Sequence, residues 1–102
     1  MKKIINGKMY NTETATEVGN YWNGLSQRDF NHVNETLYRK KTGEFFLYGE
    51  GGPMSRYSES CGNNSWTGGE RIIPLSEKEA KKWAEDKISA DAYCQIFGEP
   101  GE

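Results

Sequence analysis

Ser26, Asp29 and His32 lie three residues apart, the residue types of a hydroxyl nucleophile, an imidazole base and a carboxylate orienting it. Spacing of three is common by chance on a helix, and no nucleophile-elbow motif surrounds Ser26, so acyl transfer is not expected. Glu50 and Glu70 are a second carboxylate constellation, at the two ends of a glycine-rich segment, where convergence would suit general acid–base work. Solvated loop charge explains them as well. Cys61 and Cys94 stand outside any C-x-x-C pair and the single His32 has no ligand neighbour at metal spacing, which predicts reduced thiols and no metal site. Gly49-Glu-Gly-Gly52 and Gly68-Gly69 match neither G-x-x-x-x-G-K-[ST] nor G-x-G-x-x-G, so no phosphate cradle and no cofactor is expected.

What the residues suit better is binding. Tyr57, Trp66 and Arg56 are of the types enriched at binding hot spots, and Glu50, Glu59 and Glu70 surround them with carboxylates that can meet a basic groove. The alternative is a nucleic-acid surface built from Lys2, Lys3, Lys8, Arg39, Lys40 and Lys41, with Tyr10, Tyr21 and Trp22 near enough in sequence to stack on bases. Charge is polarised along the chain: residues 1–41 carry seven basic against four acidic side chains, residues 42–102 six against eleven, for a net charge of −2. Such polarity steers association without naming the partner, and the overall acidity opposes strong non-specific nucleic-acid binding. Thirteen aromatic residues are many for so small an interior, which also admits a homodimer.

The elements that position these residues are those of one small domain. At 102 residues, 34% of them hydrophobic, and a mean hydropathy of −0.90, the core is expected to be thin. No run approaches the roughly 18 apolar residues of a membrane span, and Met1-Lys2-Lys3 is followed by two isoleucines rather than a signal-peptide core, so a cytoplasmic protein is expected.

Asn6-Gly7 predicts a type I′ hairpin at the start. Asn11 or Thr12 as a cap, Glu13 in the first turn and Gly19 as a stop predict one or two helical turns between them. Residues 20–34 follow neither period. Glu35–Lys41 and Glu44–Tyr48 flank Thr42-Gly43 as the strongest hairpin signal, with Leu37 and Arg39 on one face of its first strand and Tyr38 and Lys40 on the other. Residues 49–70 read as a long irregular loop with apolar footholds at Met54, Tyr57 and Trp66. Arg71–Leu75 reads as a strand with Pro74 marking an edge. Ser76-Glu77-Lys78-Glu79 is a capping box opening an amphipathic helix with Trp83 on its inner face, and Ser89 or Asp91 caps a last turn ended by Gly98. The sum is a single α+β domain over residues 1–97, a small, mainly antiparallel sheet built from two hairpins and a further strand with a C-terminal amphipathic helix, and a mobile tail at 98–102.

The segments KKIINGKMYNTETATEVG, LYRKKTGEFFLYGEGGPMSRY and GGERIIPLSEKEAKKWAE together resemble a family of small accessory proteins carried by phages and other mobile elements of Gram-positive bacteria, whose gene neighbourhood includes anti-CRISPR proteins. The resemblance spans nearly the whole chain but contains no catalytic motif. It implies a non-enzymatic inhibitor that binds a bacterial defence nuclease stoichiometrically, a type II CRISPR effector or its guide complex. It assigns no site residue.

Overall fold

A computed structural model describes residues 1–101. Its elements run β1 (Lys2–Ile5), β2 (Lys8–Asn11), β3 (Thr16–Trp22), β4 (Val33–Arg39), β5 (Phe45–Gly51), β6 (Glu59–Gly62), β7 (Ser65–Thr67), β8 (Gly69–Leu75), α1 (Glu77–Lys87) and α2 (Ala90–Phe97). The fold is α+β and mostly sheet. A four-stranded antiparallel sheet in the order β3-β4-β5-β8 is joined by two separate hairpins, β1-β2 and β6-β7. No helix among the described residues is long and apolar enough to cross a membrane. Of the tail expected at 98–102, Glu102 lies outside the described residues.

Local chemistry sets the turns. Asn6 and Gly7 both take positive φ, 52° and 77°, as a type I′ turn requires. Gly43 takes φ 93° and closes the β4–β5 turn, its amide donating to Lys40 O at 2.8 Å while Lys40 N donates to Glu44 O at 2.8 Å. Ser76 and Glu79 form the complete capping box of α1, and Ser89 caps α2, which ends at Gly98.

Alternation along the strands divides the central sheet into two faces. Leu37, Phe45 and Leu47 turn toward the helices and pack with Ala80, Trp83 and Ala84, joined by Tyr93, Ile96 and Phe97 from α2. Phe46 and Ile72 turn the other way and are covered by Tyr10 of the first hairpin, Tyr10 lying edge-on to Phe46 and Tyr38 stacked on it. That hairpin reaches only the half of the second face nearest the β4–β5 turn.

Three expected segments differ. Residues 12–18 form no helix: the Asn11 side chain accepts from Glu13 N at 2.9 Å in a turn, and β3 starts at Thr16. β-branched Thr and Val suit a strand, and pairing with β4 supplies the hydrogen bonds that an isolated two-turn helix would lack. Residues 20–34 are not wholly aperiodic, since β3 runs on through Trp22 before the 23–32 loop. The long irregular loop at 49–70 shrinks to residues 52–58, because β5 extends to Gly51, β8 begins at Gly69 and Glu59–Thr67 fold into a hairpin of their own.

Candidate protein-interaction site

Register builds the site. Trp22 pairs with Asn34, Asn34 with Glu50 and Glu50 with Glu70, one row across all four strands on the face that the first hairpin leaves open. The next row inward is Asn20, Thr36, Tyr48 and Ile72. Glu50 and Glu70, far apart in sequence, are therefore direct cross-strand neighbours, a like-charge placement that disfavours the free protein. The Tyr48 hydroxyl donates to Glu70 Oε2 at 2.5 Å. Burial first, and then this bond, hold the Tyr48 phenol above its ordinary pKa. Glu50 makes no ion pair among the described residues.

Three loops gather at the same end of the sheet. The 23–32 loop is held by Asn23, whose Nδ2 donates to Asn31 O at 2.9 Å and whose Oδ1 accepts from Val33 N at 3.1 Å. It is tied to the 52–58 loop by Gly52 N donating to His32 O and Met54 N donating to Phe30 O, at 3.0 and 2.8 Å. A Cβ on Gly52 would meet Phe30 O at 2.5 Å, so only glycine permits this approach. The third element, the β6-β7 arm, is exposed throughout Glu59–Thr67, and both its outer edges are unpaired. Trp22 is 57% exposed, Phe30 62%, Met54 68% and Trp66 59%, which places four large apolar side chains in solvent at this end.

Of the expected contacts, Glu50 and Glu70 lie side by side on the open face, Glu59 lies against Gly69 on the helical face, Trp66 is exposed on the β6-β7 arm, and Tyr57 is a correction. It is 1% exposed and belongs to the core. Its ring covers Gly49 on the helical face, where a Cβ would overlap the phenol, and its hydroxyl donates to Glu35 Oε2. Glu35 is itself 1% exposed. It accepts in addition from Trp83 Nε1 at 3.0 Å and Arg56 Nη1 at 3.2 Å. Arg56, expected as a partner contact, is engaged internally by this ion pair and by lying 5.1 Å over the Tyr57 ring, although its side chain is half-exposed. Burial, followed by the bond to Glu35, raises the Tyr57 pKa.

The alternative basic set lies at the opposite end. The β1-β2 and β4-β5 hairpins are adjacent there, but their contact consumes charge: Lys8 and Lys40 reach Glu44 at 2.9 and 3.4 Å, and Lys40 sits 4.4 Å over Tyr10. The hydrogen bond from Lys8 is the foremost cause that lowers the Glu44 pKa to about 2. Arg39 covers Phe45 at 5.7 Å, and Lys2, Lys3 and Lys41 are exposed. Arg39, Lys40 and Lys41 border a broad cleft of about 720 Å³ that also takes in Phe45, Leu75 and Phe97.

Ser26, Asp29 and His32 form no relay. His32 Nδ1 meets the Asp29 carbonyl at 2.8 Å, and the Asp29 carboxylate accepts from Asn31 N instead. No group of three or more His, Cys, Asp or Glu among the described residues is placed to hold a metal ion. Cys61 and Cys94 are free thiols.

Sequence reading offered Trp22 only as a base-stacking neighbour of the basic set, from which the structure separates it, and missed Phe30 and Glu35 as site or scaffold residues. Glu35 had a usable signal: alternation puts it on the same face as Leu37, and a carboxylate on an apolar strand face demands buried donors. The face that Trp22 takes was hidden by the register shift between Glu17 and Gly19, which breaks the alternation of β3. No family model, curated protein or solved structure matches the chain.

Proposed function

We propose that this protein is a non-enzymatic inhibitor that seats the loop end of its sheet on a basic functional surface of a bacterial defence nuclease, a type II CRISPR effector or its guide complex. The observation that carries the reading is the exposure of Trp22, Phe30, Met54 and Trp66 on the loops and edges at the end of the sheet where Glu50 and Glu70 stand side by side. Aromatic and thioether side chains give large contact area for modest entropy loss, and a carboxylate rim favours encounter with a cationic groove. The exposed arm adds a two-stranded element of a size that is marginal alone and gains from being covered. The nuclease as partner rests on the resemblance of the sequence, and a homodimer is the competing occupant of the same surface.

The test is capture of purified nuclease and inhibition of its cleavage, titrated to stoichiometry. Trp66→Ala is expected to weaken capture by about 30-fold, the equivalent of ~2 kcal/mol for a hot-spot aromatic. Charge reversal at Glu50 and Glu70 is expected to slow association in a salt-dependent way. Unchanged inhibition by both variants removes this end from the mechanism. The nucleic-acid alternative draws on the cleft beside Arg39, Lys40 and Lys41. It gains if DNA or RNA binds with a steep salt dependence that Glu at those three positions abolishes.

A further inference from the structure

We infer that the cleft between Trp22 and Glu50 is a receptor for one arginine side chain of the partner protein. The inference rests on the protein-binding reading of this end and deepens it by naming the chemistry received. The cleft, about 320 Å³, lies between the open sheet face and the 23–32 loop, with Trp22, Asn20, Asn34, Glu50 and His32 among its walls. That volume is at the bottom of the usual range for ligand clefts, roughly 300–1,000 Å³, and suits a single side chain.

Its walls are set before any partner arrives. The Trp22 indole is fixed by Nε1 donating to Leu25 O at 2.6 Å. Asn20 Nδ2 donates inward to Asn34 Oδ1, Glu35 O and Thr36 Oγ1 at 2.9, 3.2 and 2.9 Å, which leaves the Asn20 amide oxygen as its outward group. His32 Nδ1 faces the Asp29 carbonyl at 2.8 Å. A carbonyl only accepts, so Nδ1 carries a proton and is spoken for within the loop. The cleft thus offers the Glu50 carboxylate and an amide oxygen beside the indole. Gln27 and Ser26 add amide and hydroxyl groups able to act either way, and Asn34, whose Oδ1 accepts from Asn20, adds an amide N–H group.

A guanidinium matches this set better than other common side chains. It has five donors and no acceptor, carries the charge that Glu50 lacks a partner for, and is planar enough to stack on indole. Glu70, next to Glu50 on the adjoining strand, adds a second negative charge. Arg28, on the loop that borders the cleft, is not one of its walls.

The experiment follows the indole N–H resonances of the full chain while blocked Gly-Arg-Gly, Gly-Lys-Gly and Gly-citrulline-Gly peptides are titrated in. The arginine peptide is expected to shift the Trp22 resonance saturably, the lysine peptide to bind at least threefold more weakly, and the citrulline peptide, equal in shape without the charge, to give no saturable shift. Glu50→Gln is expected to weaken the arginine peptide about tenfold with the rest of the spectrum unchanged. Trp22→Leu should abolish binding. Should that variant fail to fold, Glu50→Gln carries the test, because Glu50 makes no ion pair in the fold. Absence of a saturable Trp22 shift with the arginine peptide, an equal shift with citrulline, or full binding by Glu50→Gln overturns the inference. Nuclease capture that persists while the peptide fails to bind removes the arginine receptor alone. Peptide binding without nuclease capture removes the proposed function and leaves the receptor standing.

Discussion

Replacing Tyr57 by Phe tests the polar centre on which the loop end is built. The phenylalanine ring still covers Gly49, so packing is kept and only the hydroxyl is lost. Glu35 Oε2 then retains Arg56 at 3.2 Å, and Oε1 retains Trp83 at 3.0 Å. A hydrogen bond to a charged group contributes about 1.5–3 kcal/mol, and a buried carboxylate missing one donor loses that in full. At roughly 4–8 °C per kcal/mol for a domain near this size, Tm should fall by about 6–24 °C. Urea unfolding of the single variants and of the double variant with Glu35→Gln measures the coupling, expected at about 1 kcal/mol or more. The pH profile supplies a second readout. The folded state holds the Tyr57 proton to higher pH than the unfolded chain, whose phenols titrate near ~10. Its contribution is therefore complete below about pH 10 and is lost as pH rises further, so Tyr57→Phe should flatten the alkaline decline that Tyr48 also feeds. A loss below ~0.5 kcal/mol together with an additive cycle would refute the argument that Tyr57 is fixed by Glu35.

Gly49→Ala should be more damaging than Tyr57→Phe, because its Cβ drives the phenol off its seat and adds an overpacking cost of about 1–3 kcal/mol to the lost hydrogen bond; equal or smaller destabilisation in urea would contradict the packing described. At the other end, the Glu44 carboxyl should titrate at about 2 by NMR, and Lys8→Ala should move it up toward the ordinary carboxylate range. Since the folded pKa is the lowered one, this pair's contribution is present above the unfolded value of about 4.3 and is lost as pH falls toward 2. Both partners are exposed, so 1 M salt should shrink the shift and leave any effect on Tm small.

What was legible in the sequence is what short-range chemistry decides. Asn6-Gly7, Thr42-Gly43 and the Ser76 capping box each carry their own structural instruction, and each forms where it was read. The elements that were misread depend on partners remote in sequence. Gly19 looked like a helix stop, yet it lies in a strand at a point where an added Cβ would come within 3.3 Å of Trp83 Cζ3. The glycines at 49, 51, 52, 68 and 69 looked like the marks of a loop, yet none has positive φ. They are required because Tyr57, Ser55, Glu59 and the backbone at Asp29, Phe30 and Gly51 approach too closely for a side chain. The same letter therefore has two physical meanings, freedom of φ and absence of Cβ, and only the first can be inferred locally. The candidate site inherits the difficulty. Its row of Trp22, Asn34, Glu50 and Glu70 arises from strand register alone, and the glycine contacts that hold the loops around it are of the kind a sequence does not announce. Arginine reception at that row would accordingly be a property of the assembled sheet, which is why its decisive variants alter Trp22 and Glu50 rather than any contiguous motif.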